Sequence, residues 1–199
     1  MREQAPVYNI RTATTEDIPE LLALQADNQI GRGGALSIEF PATWFADVIR
    51  DMPIVTAWRE HRLVGFLVSS SKEATQHLPL GQAKFSAYPA GPNAYNSGPL
   101  CIAATERGQG LVAKLFDKQR SLLPGREGVA FIRRDNAASR AAHGKYGFRE
   151  VAEFSYAGVD YLVAARTGSA LSVAMSMNAN LPSTTSGIGP SRRLLRCTL

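Results

Sequence analysis

The chain has 199 residues, 45% of them hydrophobic and 20% charged, which suits one soluble globular domain with room for a full core. Its two cysteines, Cys101 and Cys197, stand far apart in no metal-like spacing, which argues against a disulfide scaffold or a zinc site. The net charge of +5 invites a nucleic-acid reading, but Arg192, Arg193 and Arg196 are the only charged residues after Arg166. Without those three charges, residues 1–166 carry +2, a solvated surface rather than a polyanion groove. Met1 to Asn9 has no apolar signal-like run, and no stretch of about 18 apolar residues occurs, so a cytoplasmic protein with no membrane span is expected.

Val7 to Ala13 alternates and is rich in β-branched and aromatic residues, the pattern of a first strand. Thr14-Thr15-Glu16-Asp17 is a helix start signal, followed by Ile18, Leu21, Leu22 and Leu24 at helical spacing. Gly31, Gly33 and Gly34 mark a loop, and Pro41 to Arg50 predicts a second helix with Trp44, Phe45, Val48 and Ile49 inward. Ile54 to Trp58 and Leu63 to Ser69 read as strands joined by a hairpin turn at Arg59-Glu60-His61-Arg62. Residues 70–97 are polar and rich in turn residues, and read as a long connection.

Gly98 to Ala104 reads as a buried strand, followed by a glycine turn and a helix that Pro124-Gly125 stops. Val129 to Ile132 is a short strand, Asn136 to Tyr146 a helix, and Val151 to Phe154 and Tyr161 to Ala165 the last strands. These elements make a domain of residues 1–166. Residues 167–199, rich in Ser, Thr, Asn, Gly and Pro and without an acidic residue, read as an appended tail with a short helix near Ala170 to Met177.

Two segments carry chemistry. In Glu106-Arg107-Gly108-Gln109-Gly110-Leu111-Val112 a strand ends in a glycine turn that opens a helix. Unpaired N–H groups at a helix N-terminus can hold a phosphate, and Arg107 can add a charged contact. The alternative is a plain helix start with glycines for the turn. The second segment runs from Asn136, a natural N-cap, to Gly147, a natural C′ residue. Offsets of three and seven put Asn136, Ser139 and His143 on one helical face. An imidazole there can donate a proton, or can simply pack. Tyr146 is the other candidate acid, and Cys101 reads as a small buried strand residue. No general base is assigned: Glu106 reads as surface, and Asp135 as a helix-capping residue or a base.

Arg107-x-x-Gly110-x-Val112 resembles the Q/R-x-x-G-x-G/A motif of the GNAT acetyltransferase superfamily, departing from it at Val112, where Gly or Ala is usual. Asn136, Ser139, Gly147 and Phe148 match that superfamily's N-x-x-[AS]-x-x-x-Y-x-x-x-G-F pattern, with His143 in place of the tyrosine. The resemblance implies an α/β (α+β) fold with a mixed, mostly antiparallel twisted sheet of about six to seven strands and helices on both faces. It implies acetyl-CoA as cosubstrate, with no metal, and acetyl transfer to a small-molecule or peptide amine within a ternary complex, with a homodimer admitted. It assigns cofactor contacts to Leu100, Ile102, Arg107, Gly108, Gln109, Gly110, Leu111, Val112 and Asn136, and proton donation to His143. The rival expectation is an acyl-CoA-binding module without turnover. Arg32, Trp44, Phe85, Tyr88 and Tyr95 are the expected acceptor-side residues.

Overall fold

The structure, a computed structural model, describes residues 6–36, 38–75 and 77–168. The expected tail, with its helix at 170–177, lies outside the described residues apart from Thr167 and Gly168. Seven strands occur among the described residues: β1 (Asn9–Thr12), β2 (Ile54–Arg59), β3 (Arg62–Ser70), β4 (Tyr95–Ile102), β5 (Gly128–Arg133), β6 (Arg149–Tyr156) and β7 (Val159–Arg166). They form one sheet in the order β1-β2-β3-β4-β5-β7-β6. Every neighbouring pair is antiparallel except β4 and β5, which run parallel. The α-helices are α1 (Ile18–Asp27), α2 (Ala42–Asp51), α3 (Pro79–Ala87), α4 (Leu111–Leu122) and α5 (Ala137–Lys145). The mixed, mostly antiparallel α/β architecture expected from the sequence is the one observed.

Helices cover both faces of the sheet, as two adjacent residues of β3 make clear. A Cβ on Gly65 would lie 3.0 Å from Ile102 Cδ1 and 3.1 Å from Leu111 Cδ2, so this face of β3 meets the first turn of α4 with no room for a side chain. Phe66 points the other way, and its ring meets Phe45 of α2 edge-on at 6.1 Å. The start signal before α1 is realised as charged hydrogen bonding. Asp17 accepts the Thr14 N–H at 2.8 Å and two guanidinium contacts from Arg11 at 2.6 Å.

The expectation for residues 70–97 is corrected. The segment contains α3, and β4 begins at Tyr95 rather than Gly98. Helix α3 shows no clean apolar stripe because its buried side is made by Leu80, Gly81 and Lys84. A lysine on the inward face disguises the period that marks an amphipathic helix. Its start did leave a signal, since Pro79 occupies the first turn, where its missing N–H costs nothing.

Gln119 of α4 joins the helix to the sheet where β3 and β4 pass beneath it. Its Nε2 donates to Ser69 Oγ at 3.0 Å, and its Oε1 accepts from Ser97 Oγ at 3.0 Å. The side chain is fully buried, so its loss leaves two hydroxyls without a partner. Gln119→Ala is expected to lower unfolding free energy by about 2–3 kcal/mol, read from urea denaturation. Gln119→Glu, at a pH where the carboxylate is charged, should cost at least as much.

Candidate active site

Strands β4 and β5 pair only at Tyr95–Gly128 and Asn96–Val129. Beyond that point they diverge, and the gap opens into a cavity of about 390 Å³. One wall is β4, through Gly98, Pro99, Leu100 and Ile102, and the opposite wall is β5 from Val129 to Arg133. A strand that leaves its neighbour exposes main-chain groups that an extended ligand can pair with, as an added strand would. Leu100 and Ile102, singled out from the sequence, lie on this wall. Cys101 between them is fully buried, and burial pushes its thiol up to about 12, which suits a core residue and no nucleophile.

At the C-terminal end of β4 the glycine turn leads into α4. Gly108 and Gly110 have φ of 78° and 77°, a left-handed backbone that favours glycine. A Cβ at either residue would meet nothing within 4 Å, so backbone conformation rather than crowding calls for glycine here. Arg107 and Val112 line the cavity, whereas Gly108, Gln109, Gly110 and Leu111 do not. The reason for Leu111 is that its side chain is buried against Gly65, so any cofactor contact it makes is through its main chain. The Gln109 amide folds back on its own turn, donating to Thr105 O at 2.9 Å.

Arg107 is tied to the structure as well as facing the cavity. Its Nη2 donates to Asn28 Oδ1 at 3.1 Å, and Asn28 is itself oriented by donating to Leu24 O at 2.9 Å. This clamps the end of α1 to the loop after β4. Glu106 is corrected from a surface residue to a buried one. Tyr8 Oη donates to it at 2.6 Å and Arg59 pairs with it at 3.0 Å, and these partners hold its carboxyl below the usual range. It does not line the cavity, and neither does Asp135, which pairs with Arg133.

The helix face read from offsets of three and seven is present. Asn136, Ser139 and His143 all line the cavity, and Asn136 Oδ1 caps α5 by accepting the Ser139 N–H at 3.0 Å. His143 is 5% exposed, with Phe116 and Phe148 edge-on to its ring at 5.2 and 5.0 Å. Its Nδ1 lies 2.9 Å from Ser139 O, a contact that asks for an N–H on Nδ1 and leaves the Nε2 lone pair free. Burial lowers its pKa below the ordinary 6.5, and Arg166 pushes in the same direction. Tyr146 stacks obliquely on Phe116 at 5.5 Å and is not in the lining.

Of the expected acceptor-side residues, only Trp44 lines the cavity. Arg32 pairs with Asp27, Phe85 belongs to a second apolar cluster, Tyr88 donates to Glu127, and Tyr95 is buried beneath Gln119 and Arg166. These four expectations are corrected: Phe85 lies on α3, Tyr88 caps its end, and Tyr95 opens β4. The same segment hid Lys84, which lines the cavity while being 2% exposed. Its Nζ donates to Asn96 Oδ1 and lies 4.2 Å from the centre of the Phe85 ring. Burial, reinforced by the charge of Lys72, brings its pKa down to about 7. Among the described residues no group of His, Cys, Asp or Glu is arranged to hold a metal ion, and no helix is long and apolar enough to cross a membrane.

The depressed Lys84 value has a consequence for stability. Between about 7 and the ordinary 10.5 the unfolded chain holds a proton that the folded chain lacks, so this group's contribution to stability rises with pH across that window. Lys84→Met should therefore stabilise the fold at pH 7 by about 1–4 kcal/mol. In denaturation series at several pH values, the gap between the two proteins should shrink as pH approaches 10.5.

No family model matches the sequence, and no curated protein matches it. Solved structures do match. A ribosomal-protein-alanine N-acetyltransferase from Brucella melitensis is 23% identical, with a TM-score of 0.56 over 80% of this chain and 99% of its own. An acetyltransferase of the GNAT family from Streptococcus agalactiae 2603 is 14% identical, with a TM-score of 0.62 over 80% of this chain and 95% of its own. A Salmonella typhimurium protein whose structure includes its cofactor acetyl-CoA is 15% identical, with a TM-score of 0.59 over 81% of this chain and 94% of its own. With β4 and β5 parting beside a glycine turn, and with these neighbours, the fold of this chain is that of the GNAT acetyltransferases.

Proposed function

We propose that the protein is a GNAT-superfamily N-acetyltransferase that moves an acetyl group from acetyl-CoA to an amine by direct transfer in a ternary complex. The observation that carries this reading is the parting of β4 and β5 next to the left-handed turn at Gly108–Gly110. The turn offers the amides at the start of α4 to a pyrophosphate, and the free side of β4 offers main-chain groups to an extended arm. Leu100 and Ile102 hold that arm, while Arg107, Gly108, Gln109, Gly110, Leu111 and Val112 surround the phosphates. Asn136 closes the opposite wall by capping α5. Acetyl-CoA supplies an activated acetyl thioester, and the cavity's work is to align it with the amine and exclude water.

His143 is the candidate proton donor to the departing sulfur. With Nδ1–H engaged by Ser139 O, the proton to be given up sits on Nε2 of the imidazolium. Its lowered pKa makes that imidazolium a stronger acid than free histidine. The second reading, an acyl-CoA-binding module without turnover, is favoured by Val112, a cavity-lining residue where the superfamily motif has Gly or Ala.

Calorimetric titration with acetyl-CoA, with ATP as a control, should give binding on the order of micromolar. Gly110→Glu should abolish it by adding charge, bulk and backbone strain at a φ of 77°. Val112→Ala should tighten it. Binding without turnover against a broad amine panel would favour the non-catalytic module. In an active enzyme, His143→Gln should lower kcat about a hundredfold with little change in the Kd for acetyl-CoA. The part of kcat that depends on His143 should fall as pH rises through a value below 6.5.

A further inference from the structure

Lys84 has no counter-charge beside it. It is among the largest fully buried side chains, and the group whose charge acts on it is Lys72, a cation. Lys72 is itself occupied, donating to Pro89 O at 2.9 Å with its Nζ 5.3 Å from the Phe85 ring. The acceptor supplied to Lys84 is the neutral Oδ1 of Asn96. Asn96 in turn is fixed by donating to Ser71 O at 2.6 Å and Thr75 Oγ1 at 3.1 Å, so it cannot swing away. Two aromatic rings, Phe85 and Phe131, lie 4.2 and 5.8 Å from Nζ, and they favour a cation without neutralising it.

The cavity repeats this imbalance on a larger scale. Lys84, Arg107 and Arg133 all line it, and among the described residues no Asp or Glu does. Two of these cations are accounted for by other groups, since Arg107 donates to Asn28 and Arg133 pairs with Asp135. Lys84 is left without an anion. Trp44 adds an unpartnered donor to the cavity lining, because its buried Nε1–H has no partner among the described residues. Burying an ammonium this way is costly, and an anion that enters the cavity removes the cost.

Position separates this site from the phosphate end. Asn96 belongs to the last paired rung of β4 and β5, six residues before Ile102 at the other end of β4. Six strand residues span at most about 20 Å. Lys84 therefore stands at the apex of the opening, while the glycine turn stands at its mouth. Phe131, 5.8 Å from Nζ, gives the apex an apolar wall.

We infer that the Lys84 apex binds a carboxylate carried by the acceptor, so that the amines this protein acetylates are amines that also bear a carboxylate. The word acceptor rests on the acetyl-transfer reading above; the carboxylate site itself does not. The carboxylate accepts from Nζ and completes the ion pair, while Asn96 holds Nζ in place. The bound carboxylate raises the lysine's proton affinity, so binding at and above about pH 7, where the free amine loses its proton, takes up a proton at Nζ.

The test uses the full chain, labelled with ¹³C at lysine Cε, with the Lys84 resonance assigned by its absence in Lys84→Met. Phenylacetate and benzoate are titrated against phenylacetamide and benzamide, which keep the shape and lack the charge. Both carboxylates are expected to move the Lys84 resonance and raise its titration midpoint, and the amides to do neither. Lys84→Met is expected to weaken carboxylate binding at least about thirtyfold. A Lys84 resonance that ignores both carboxylates up to 50-fold excess over lysine sites, or responds equally to the amides, overturns the proposal, and the wild-type measurement decides this whatever the variant does. Acetyl-CoA is titrated into the same samples. Acetyl-CoA binding with an unresponsive Lys84 removes the carboxylate site and leaves acetyl transfer standing. A responsive Lys84 with no acetyl-CoA binding does the reverse.

Discussion

Two parallel strands that share only the rungs Tyr95–Gly128 and Asn96–Val129 before separating create the condition on which the rest of this structure depends. Backbone polar groups that lose a sheet partner must find another or face water, so a parting of strands inside a sheet persists only where other contacts hold it. Pro99 has no N–H, so β4 carries one donor fewer where it leaves β5. On its other edge β4 remains paired with β3 through Leu100, Cys101 and Ile102, which keeps it from collapsing towards β5. The cavity, its main-chain groups and its access to the start of α4 all follow from that geometry.

The apex is clamped from both faces by neighbouring residues. Ser97 donates to Gln119 of α4, while Asn96, pointing to the opposite face, accepts from Lys84 of α3. Polar side chains thus take over where the ladder ends. The two clamps differ in character. The Gln119 side is neutral and satisfied through Ser69, Ser97 and Tyr95, so it contributes rigidity. The Lys84 side holds an amine to which the fold supplies no counter-charge, so burial pushes it towards its neutral form at the cavity wall.

The titratable groups sort by the same logic. Asp17 and Glu106 are buried acids whose cationic partners keep them ionised, and both stand away from the cavity. Cys101 has no ion pair, and burial outweighs the charge of Arg107 and keeps its thiol protonated. His143 and Lys84 are pushed towards their neutral forms and both face the cavity. The buried carboxylates are tied into ion pairs of the fold, whereas the two buried bases face the opening.

Local chemistry was legible in the residues themselves. A left-handed turn needs glycine, so Gly108 and Gly110 announced the loop before α4. A helix start needs an acceptor for its first N–H groups, so Asn136 announced α5, and a period of 3.6 put Ser139 and His143 on its inner face. Strands β2, β3, β6 and β7 were likewise visible from β-branched and aromatic runs. Helix α3 was not, because its inward face carries Lys84, and a charge on that face erases the apolar period. That Glu106 is buried while a glutamate in a loop usually is not depends on Tyr8 and Arg59, which come from 98 and 47 residues away. The sequence by itself determined the turns, caps and alternations, which are set by neighbours in the chain. Only the tertiary structure decided which charges are buried and which are left unpaired, because electrostatic partners are set by distance in space.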